Sequence, residues 1–372
     1  MDRSKKIWLI VVAVALFGTG YYMGKNSSLQ KEDTRQKTSE QALKIGFMGP
    51  LTGDAASYGE SIKKGIELAK KESNIKNLEI IYEDTKCEGK DAVNAVNKLI
   101  SVDKVIAIIG DVCSGATLAA APVAQEKKVV LVSAASTSPK ITDAGDYVFR
   151  VVPSDALQGD FGAQLVYNKG YKKLAILYSN EEYGVGFQEV LKKSFEKLGG
   201  KVVKQEAFNR NVTDVRTQLV KIRGQKPAAL FIISNSPASS VAALKQIKAF
   251  GMKIALFGSE GLKSSDILSG AKDAADGLIL TSVSSGTTEF TEKHKKEYNA
   301  DPGPFSAQGY DAFMVLAKAF EKEAKTSDDI KEALKGTDLA GASGKIIFDS
   351  NGDVTGNYDV YIVKNGSFEL SK

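Results

Sequence analysis

Two spacings of apolar residues alternate along this chain. Short runs in which almost every residue is apolar fall at Lys44–Met48, Leu78–Tyr82, Val105–Ile109 and Val129–Val132. They recur at Leu174–Tyr178, Ala229–Ile233, Ile254–Phe257 and Leu278–Val283. Between them lie longer stretches with apolar residues every three or four positions. These are Gly59–Ser73, Lys90–Ile100, Ala116–Glu126, Gly186–Leu198, Val215–Arg223, Ala238–Phe250 and Ser306–Lys322. The first spacing predicts strands buried on both faces, the second amphipathic helices. Their alternation predicts α/β architecture with parallel sheets covered by helices.

The rhythm breaks once. A strand at Tyr147–Val152 follows the long loop Ser133–Gly145, and the strand–helix cycle then restarts. That break predicts a crossing between two similar, Rossmann-like, parallel-sheet domains, with further crossings near Ser284 and Gly336–Ser343 forming a multi-strand hinge. The expected domains are 44–152 plus 285–338, and 153–284 plus 339–372. In such sheets ligands bind beyond the carboxyl ends of the strands.

The N-terminus has a different pattern. Met1–Lys6 is basic, Ile7–Met23 carries no charge, and Lys25 ends the run. Residues 1–24 read as a membrane anchor or a signal peptide, and either one exports the body of the chain. Gly18-Thr19-Gly20 could be cleaved, whereas Tyr21 and Tyr22 suit an interfacial position in an uncleaved anchor. No Cys stands there for a lipoprotein signal. Residues 25–43 are polar and without apolar periodicity, as in a tether.

Composition removes several classes of function. The chain has 372 residues, 43% apolar and 26% charged, which excludes a disordered chain or a polytopic membrane protein. The net charge is +5, of which residues 1–44 carry +4, leaving a near-neutral body. Phosphate binding needs a concentrated basic face, so nucleic acid is not an expected partner. A single His offers no material for a His-based triad or a His-rich metal site. No phosphate loop, nucleophile elbow or complete dinucleotide fingerprint occurs. No enzyme activity, cofactor or metal is therefore expected.

The candidate chemistry sits after the strands. Cys87 and Cys113 each follow a strand's carboxyl end, and in an exported chain they should form a disulfide, worth roughly 3 kcal/mol by loop entropy. In Gly110-Asp111-Val112-Cys113-Ser114-Gly115, Ser114 is the expected N-cap. The free N–H groups there suit a carboxylate. Ser133-Ala134-Ala135-Ser136-Thr137-Ser138-Pro139 supplies small hydroxyl residues after the next strand. Asp349-Ser350-Asn351-Gly352-Asp353 resembles half a calcium loop. It lacks the sixth-position Gly (Val354) and the twelfth-position acid (Val360), so a hairpin turn is expected. His294 reads as solvated surface, and Asn211-Val212-Thr213 and Asn365-Gly366-Ser367 as formal sequons.

These pieces together resemble a family. From about Lys44 to Val363 the chain is similar to the type I periplasmic binding proteins, in the branched-chain amino-acid-binding branch that serves ABC importers. The resemblance rests on Gly49-Pro50-Leu51-Thr52-Gly53 with Tyr58-Gly59, Cys87 with Cys113-Ser114, Ser133–Pro139, Glu182-Tyr183-Gly184-Val185-Gly186, Gly258-Ser259-Glu260-Gly261 and Phe348–Asp353. It implies that Ser114 and Thr137 hold an amino acid's α-carboxylate. It also implies that the Ala135 carbonyl and Glu260 take its ammonium, and that Tyr58, Tyr183, Val112 and Phe305 line the side-chain pocket. One position departs. The family commonly places another aromatic after the strand equivalent to Ala229–Ile233, where Ser234-Asn235-Ser236-Pro237 stands here. Ser236 falls nearest, so a larger or wetter pocket is expected. The implied function is an extracytoplasmic solute-binding protein for an amino acid, partnered by a permease and its ATPase and tethered to the membrane by its N-terminus. A ligand-sensing receptor or regulator on the same fold is the other reading.

Overall fold

The computed structural model describes residues 42–371, so the expected anchor and most of the tether lie outside the described residues. Leu43–Gly49 (β1) pairs in parallel with Leu78–Asp84 (β2) on one side and Ala107–Ile109 (β3) on the other. Val130–Ser133 (β4) and Val148–Arg150 (β5) extend the sheet, giving the order β2-β1-β3-β4-β5. Every residue of β3, β4 and β5 is buried, which is why these strands are apolar apart from Ser133 and Arg150 at two of their carboxyl ends. Ala56–Glu72 (α1), Gly89–Ser101 (α2) and Ser114–Lys127 (α3) are the crossovers. In α1, Ile62, Ile66 and Ala69 face the sheet at helical spacing.

Asp155–Asn168 (α4) opens the second lobe. Lys173–Ser179 (β6), Glu182–Lys197 (α5), Lys201–Phe208 (β7), Arg216–Gly224 (α6), Ala229–Ile233 (β8), Pro237–Ala249 (α7), Ala255–Gly258 (β9), Ser265–Ala271 (α8) and Ile279–Val283 (β10) come after it. Thr288–Tyr298 (α9), Ser306–Glu321 (α10) and Ser327–Lys335 (α11) come next, with α10 packed along α1 of the first lobe. After the hairpin Leu339–Ala340 (β11) and Lys345–Ile346 (β12), Tyr358–Lys364 (β13) and Ser367–Leu370 (β14) close the second sheet in the order β14-β13-β10-β9-β8-β6-β7. The antiparallel pairings in it are those of β13 with β10 and with β14.

The apolar pattern did not reveal every element. The edge strand β7 mixes Lys, Gln and Glu with its apolar residues because it is only partly covered. Helix α4 lacks a row of large apolar residues because it approaches its neighbours closely. A Cβ on Gly159 would stand 2.8 Å from Val190. Residues 339–354, expected with the second domain, pack with the first: Ile346, Phe348 and Val354 are buried in its core. His294 is buried rather than solvated. It lies on the inner face of α9 with Phe290, 1% exposed, its Nδ1 2.9 Å from the Ala300 carbonyl.

Each sheet has one point where the chain order reverses. In the first it falls between β1 and β3, in the second between β6 and β8. The crevices beyond those strand ends are the places where an open parallel sheet binds ligands. Every candidate residue but Phe305 lies beyond the carboxyl end of a strand at or beside them.

The first lobe's loops are braced from below by a buried ion pair. Arg150 in β5 is fully buried and grips Asp353 with two bonds, Nε to Oδ1 at 2.6 Å and Nη2 to Oδ2 at 2.7 Å. Its Nη1 donates to the carbonyls of Thr137 (3.1 Å) and Ser138 (2.9 Å). The Asp349–Asp353 turn thus supplies the counter-charge of Arg150. Its tight geometry comes from Asp349 Oδ1, which accepts from the N–H groups of Asn351 and Asp353.

Candidate ligand-binding site

A cavity lies where the loops of the two lobes meet. Tyr58, Val112, Cys113, Ser114 and Ala135 wall it from the first lobe. Tyr183, Asn235, Glu260 and Gly261 wall it from the second, and Phe305 closes one side. Seven of the nine expected site residues are brought together there. Thr137 and Ser236 are the two that are not among its walls.

Each wall residue is placed by its element. Tyr58 stands in the first turn of α1, and its hydroxyl donates to the Gly261 carbonyl of the opposite lobe at 2.7 Å. Ser114 is the first helical residue of α3, one position inside the N-cap. Cys113 holds the cap, with extended backbone. Ser114 therefore makes no capping bond; its Oγ accepts from the Ser138 N–H at 3.2 Å and ties the two first-lobe loops together. Asp111 does the local fastening instead. Its Oδ1 accepts from the Val112 and Cys113 N–H groups, and its carbonyl accepts from Ser133 and Ser136 hydroxyls. Tyr183 stands in the first turn of α5, where Glu181 accepts from the Tyr183 and Gly184 N–H groups, and its hydroxyl donates to Ser259 Oγ at 2.7 Å.

Thr137 lies behind the wall. It is 1% exposed, its carbonyl is held by Arg150, and its Oγ1 has no partner among the described residues. Ser236 is the N-cap of α7. Its Oγ accepts from the Ser239 N–H and donates to Asp54 Oδ2 of the other lobe at 2.6 Å, while Ala238 N–H donates to Asp54 Oδ1. A residue that caps a helix turns its side chain toward the helix's first N–H groups, so its neighbour Asn235 takes the place in the wall.

Charge is concentrated at one end. Glu260 is 3% exposed, accepts from Gln158 Nε2 at 2.6 Å, and has no Lys or Arg paired with it among the described residues. Asp155, at the start of α4, is fully buried, and neither carboxylate oxygen finds a partner among the described residues. Burial raises both acids: Glu260 to about 7, and Asp155 well above the usual carboxylate range, pushed further by the charge of Glu260. A desolvated acid in the cavity wall with no cation paired to it, and a second buried acid close enough to feel its charge, suit a positive group.

Asp155, Gln158 and Arg150 were not foreseen. Signals existed for them. Arg150 interrupts an apolar strand, and a charge buried there requires an acid. Ser154-Asp155-Ala156-Leu157-Gln158 carries a helix-start signature, with Ser154 Oγ accepting from Ala156 N–H and the two polar residues on one face. The expected bridge is present: Cys87 and Cys113 are disulfide-bonded, with Cα atoms 5.4 Å apart. Among the described residues no group of three or more His, Cys, Asp or Glu is placed to hold a metal.

Two parallel-sheet lobes with switch-point crevices facing each other across an acid-bearing cavity define a class of two-lobed solute-binding proteins. A sequence profile of the periplasmic binding protein family matches residues 42–367, and the chain belongs to that family, as a type I protein of the branched-chain amino-acid branch. It is a substrate-binding protein, not an enzyme. It is 29% identical over 334 residues to a leucine-, isoleucine-, valine-, threonine- and alanine-binding protein of Pseudomonas aeruginosa, spanning 85% of this chain and 88% of that protein. The crystal structure of a leucine-binding protein, LivK, from Thermotoga maritima is 31% identical with a TM-score of 0.84, covering 89% of this chain and 98% of the other. The substrate-binding protein LivJ from Streptococcus pneumoniae, solved in complex with isoleucine, is 27% identical with a TM-score of 0.82 and covers 89% and 99%.

Proposed function

We propose that this protein captures an α-amino acid in the cleft between its lobes and delivers it to the permease and ATPase of an ABC importer. The observation that carries this reading is the cavity's charged end. Glu260 lines the cavity without a Lys or Arg paired to it, the fully buried Asp155 adds its charge from behind, and the same cavity offers the N-terminal turn of α3. A zwitterion fits that arrangement, its ammonium toward the acids and its carboxylate toward Ser114 and the free N–H groups of α3. The Ala135 carbonyl is a second acceptor for the ammonium, and Thr137, behind the wall, supports the loop through its carbonyl held by Arg150. Tyr58, Tyr183, Val112 and Phe305 enclose the space beyond the head group.

The lobes correspond to the segments running from 44 to about 152 and from about 153 to 284, with the later segments returning to each. Because the walls come from both lobes, a ligand that touches both favours the closed arrangement by its differential contacts. Residues 1–24 would export the body, keeping it at the outer face of the membrane as an anchor or releasing it as a cleaved signal. Among the described residues no helix is long and apolar enough to cross a membrane.

The test is calorimetric titration of the full chain with the twenty amino acids and, in parallel, with 4-hydroxybenzoate. Saturable binding of one or more amino acids, lost when the α-amine is acetylated, supports the reading. Binding of the aromatic acid alone overturns it, since that ligand has no ammonium for Glu260. A sensor on the same fold would bind equally well, and stimulation of a cognate transporter's ATPase separates the two.

A further inference from the structure

The cavity does not end at its apolar walls. Cys113 and Asn235 are shared with a second, polar chamber that also includes Glu88, Glu181, Glu182 and Arg210. Two buried polar atoms in this region lack partners among the described residues. One is a donor, Arg210 Nε; the other is an acceptor, Asn235 Oδ1. Several other polar groups there are engaged. Arg210 Nη1 donates to the Cys87 carbonyl at 3.1 Å and lies 3.7 Å from Glu88. Glu181 accepts from Ser179 and from the Tyr183 and Gly184 N–H groups, and Glu182 pairs with Lys140 at 2.8 Å.

A donor and an acceptor left without partners on two residues that line one chamber call for a ligand group that both accepts and donates. A terminal carboxamide does both. A terminal carboxylate only accepts, and it would face three glutamates across the chamber. An aliphatic end would leave both atoms unpaired, and a site built to hydrogen-bond discriminates strongly against a ligand that cannot. We propose that Asn235 and Arg210 are specificity-determining residues, and that the amino acid this site prefers has a side chain ending in a carboxamide, as in glutamine. The inference rests on the amino-acid reading above and narrows it to a side-chain class.

The experiment titrates the full chain with glutamine, leucine and glutamate, three side chains of similar length. Glutamine should bind at least tenfold more tightly than either of the others. Asn235→Leu removes the open acceptor and extends the apolar wall, so the order of glutamine and leucine should reverse. Arg210→Met should weaken glutamine while leaving leucine within a few-fold. Should Arg210→Met fold poorly, Asn235→Leu alone decides. Leucine binding tighter than glutamine in the parent, with the order unmoved in Asn235→Leu, overturns this inference and leaves the amino-acid reading standing. Glutamate binding tightest overturns the carboxamide assignment. If none of the twenty amino acids binds, the amino-acid reading falls and this inference with it.

Discussion

The two ends of the cavity are built by different means. At the head-group end the groups are fixed from beneath. Arg150 and Asp353 brace the Thr137–Ser138 loop, and Gln158 clamps Glu260 with one hydrogen bond while donating to the Thr281 carbonyl at 3.1 Å. At the far end, Asn235 and Arg210 project from loops and keep unpaired atoms. The first end is made of main-chain groups and buried charges, which on the proposed reading any amino acid would satisfy alike. The second is made of exchangeable side chains. A binding protein can thus change its ligand by altering the far end without disturbing the grip on the head group.

The largest effect should come from breaking the brace. Arg150→Met leaves Asp353 without its buried partner and frees the carbonyls of Thr137 and Ser138. Removing one member of a buried pair costs about 3–5 kcal/mol. Chemical denaturation should show that loss as a lower midpoint with an unchanged slope. A loss below about 1 kcal/mol, the range of an exposed pair, would mean that the head-group end is not held from beneath.

Next is the acid itself. Glu260→Gln keeps the size and removes the charge, and losing one partner of a buried charge pair costs about 2–5 kcal/mol in affinity, or roughly 30-fold to several thousand-fold. The same residue gives the site a pH dependence. In the ligand-free protein its raised pKa means that the fold prefers the protonated form. That contribution to stability is present below the unfolded value of about 4.3 and is lost as pH rises through about 7. An ammonium ligand requires the ionised form. Affinity should therefore rise by up to about tenfold per pH unit between about pH 5 and 7 and then flatten, while ligand-free stability falls over the same window. Titrations in buffers of different ionisation enthalpy should detect proton release on binding. A flat profile in the parent, matching that of Glu260→Gln, would falsify the assignment of the ammonium to this end.

The far end was less legible in the sequence, for a physical reason. Residues set by the backbone leave a trace: the strand–helix rhythm, glycines at close approaches, cysteines after strands, an acid after β9. These predicted most strands and helices and put Ser114 at a helix start beside the site, whereas Tyr58, Tyr183 and Glu260 were implied by the family resemblance; all four stand in the wall. Asn235 could not be told from Ser236 because choosing between adjacent residues depends on which one caps α7. Arg210 lies 123 positions from the Cys87 carbonyl it binds, and no local pattern announces such a contact. The edge strand β7 and helix α4 were missed because partial exposure and glycine-mediated packing both erase the apolar period.

The disulfide offers a test at the junction of the two ends. Cys87 and Cys113 are 26 positions apart, and Cys113 is also the N-cap of α3. Replacing both with Ser should cost about 3 kcal/mol of stability by loop entropy. Both residues sit at the polar chamber. Affinity for amino acids with short side chains should hold within a few-fold in the folded double variant, and selectivity among long ones should loosen. Equal losses for alanine and for glutamine would show that the two ends are mechanically coupled.

Ser114→Ala should have the smallest effect, and its size discriminates between two ways of holding a carboxylate. Ser114 Oγ already accepts from the Ser138 N–H, so the hydroxyl has one proton left to donate to a ligand. If the side chain alone held the carboxylate, its loss would rival that of Glu260. But Ser114 opens α3, and the N–H groups of that helix's first turn stay in place in the variant with the same orientation and the same helix dipole. Removing one hydroxyl bond to a charged group should then cost about 1–3 kcal/mol in affinity, toward the lower end because those donors remain. The loss should be the same for every amino acid that binds, since all share the carboxylate. Titration of two ligands with different side chains checks this: equal losses place Ser114 at the common end, and unequal losses would move it to the end that selects.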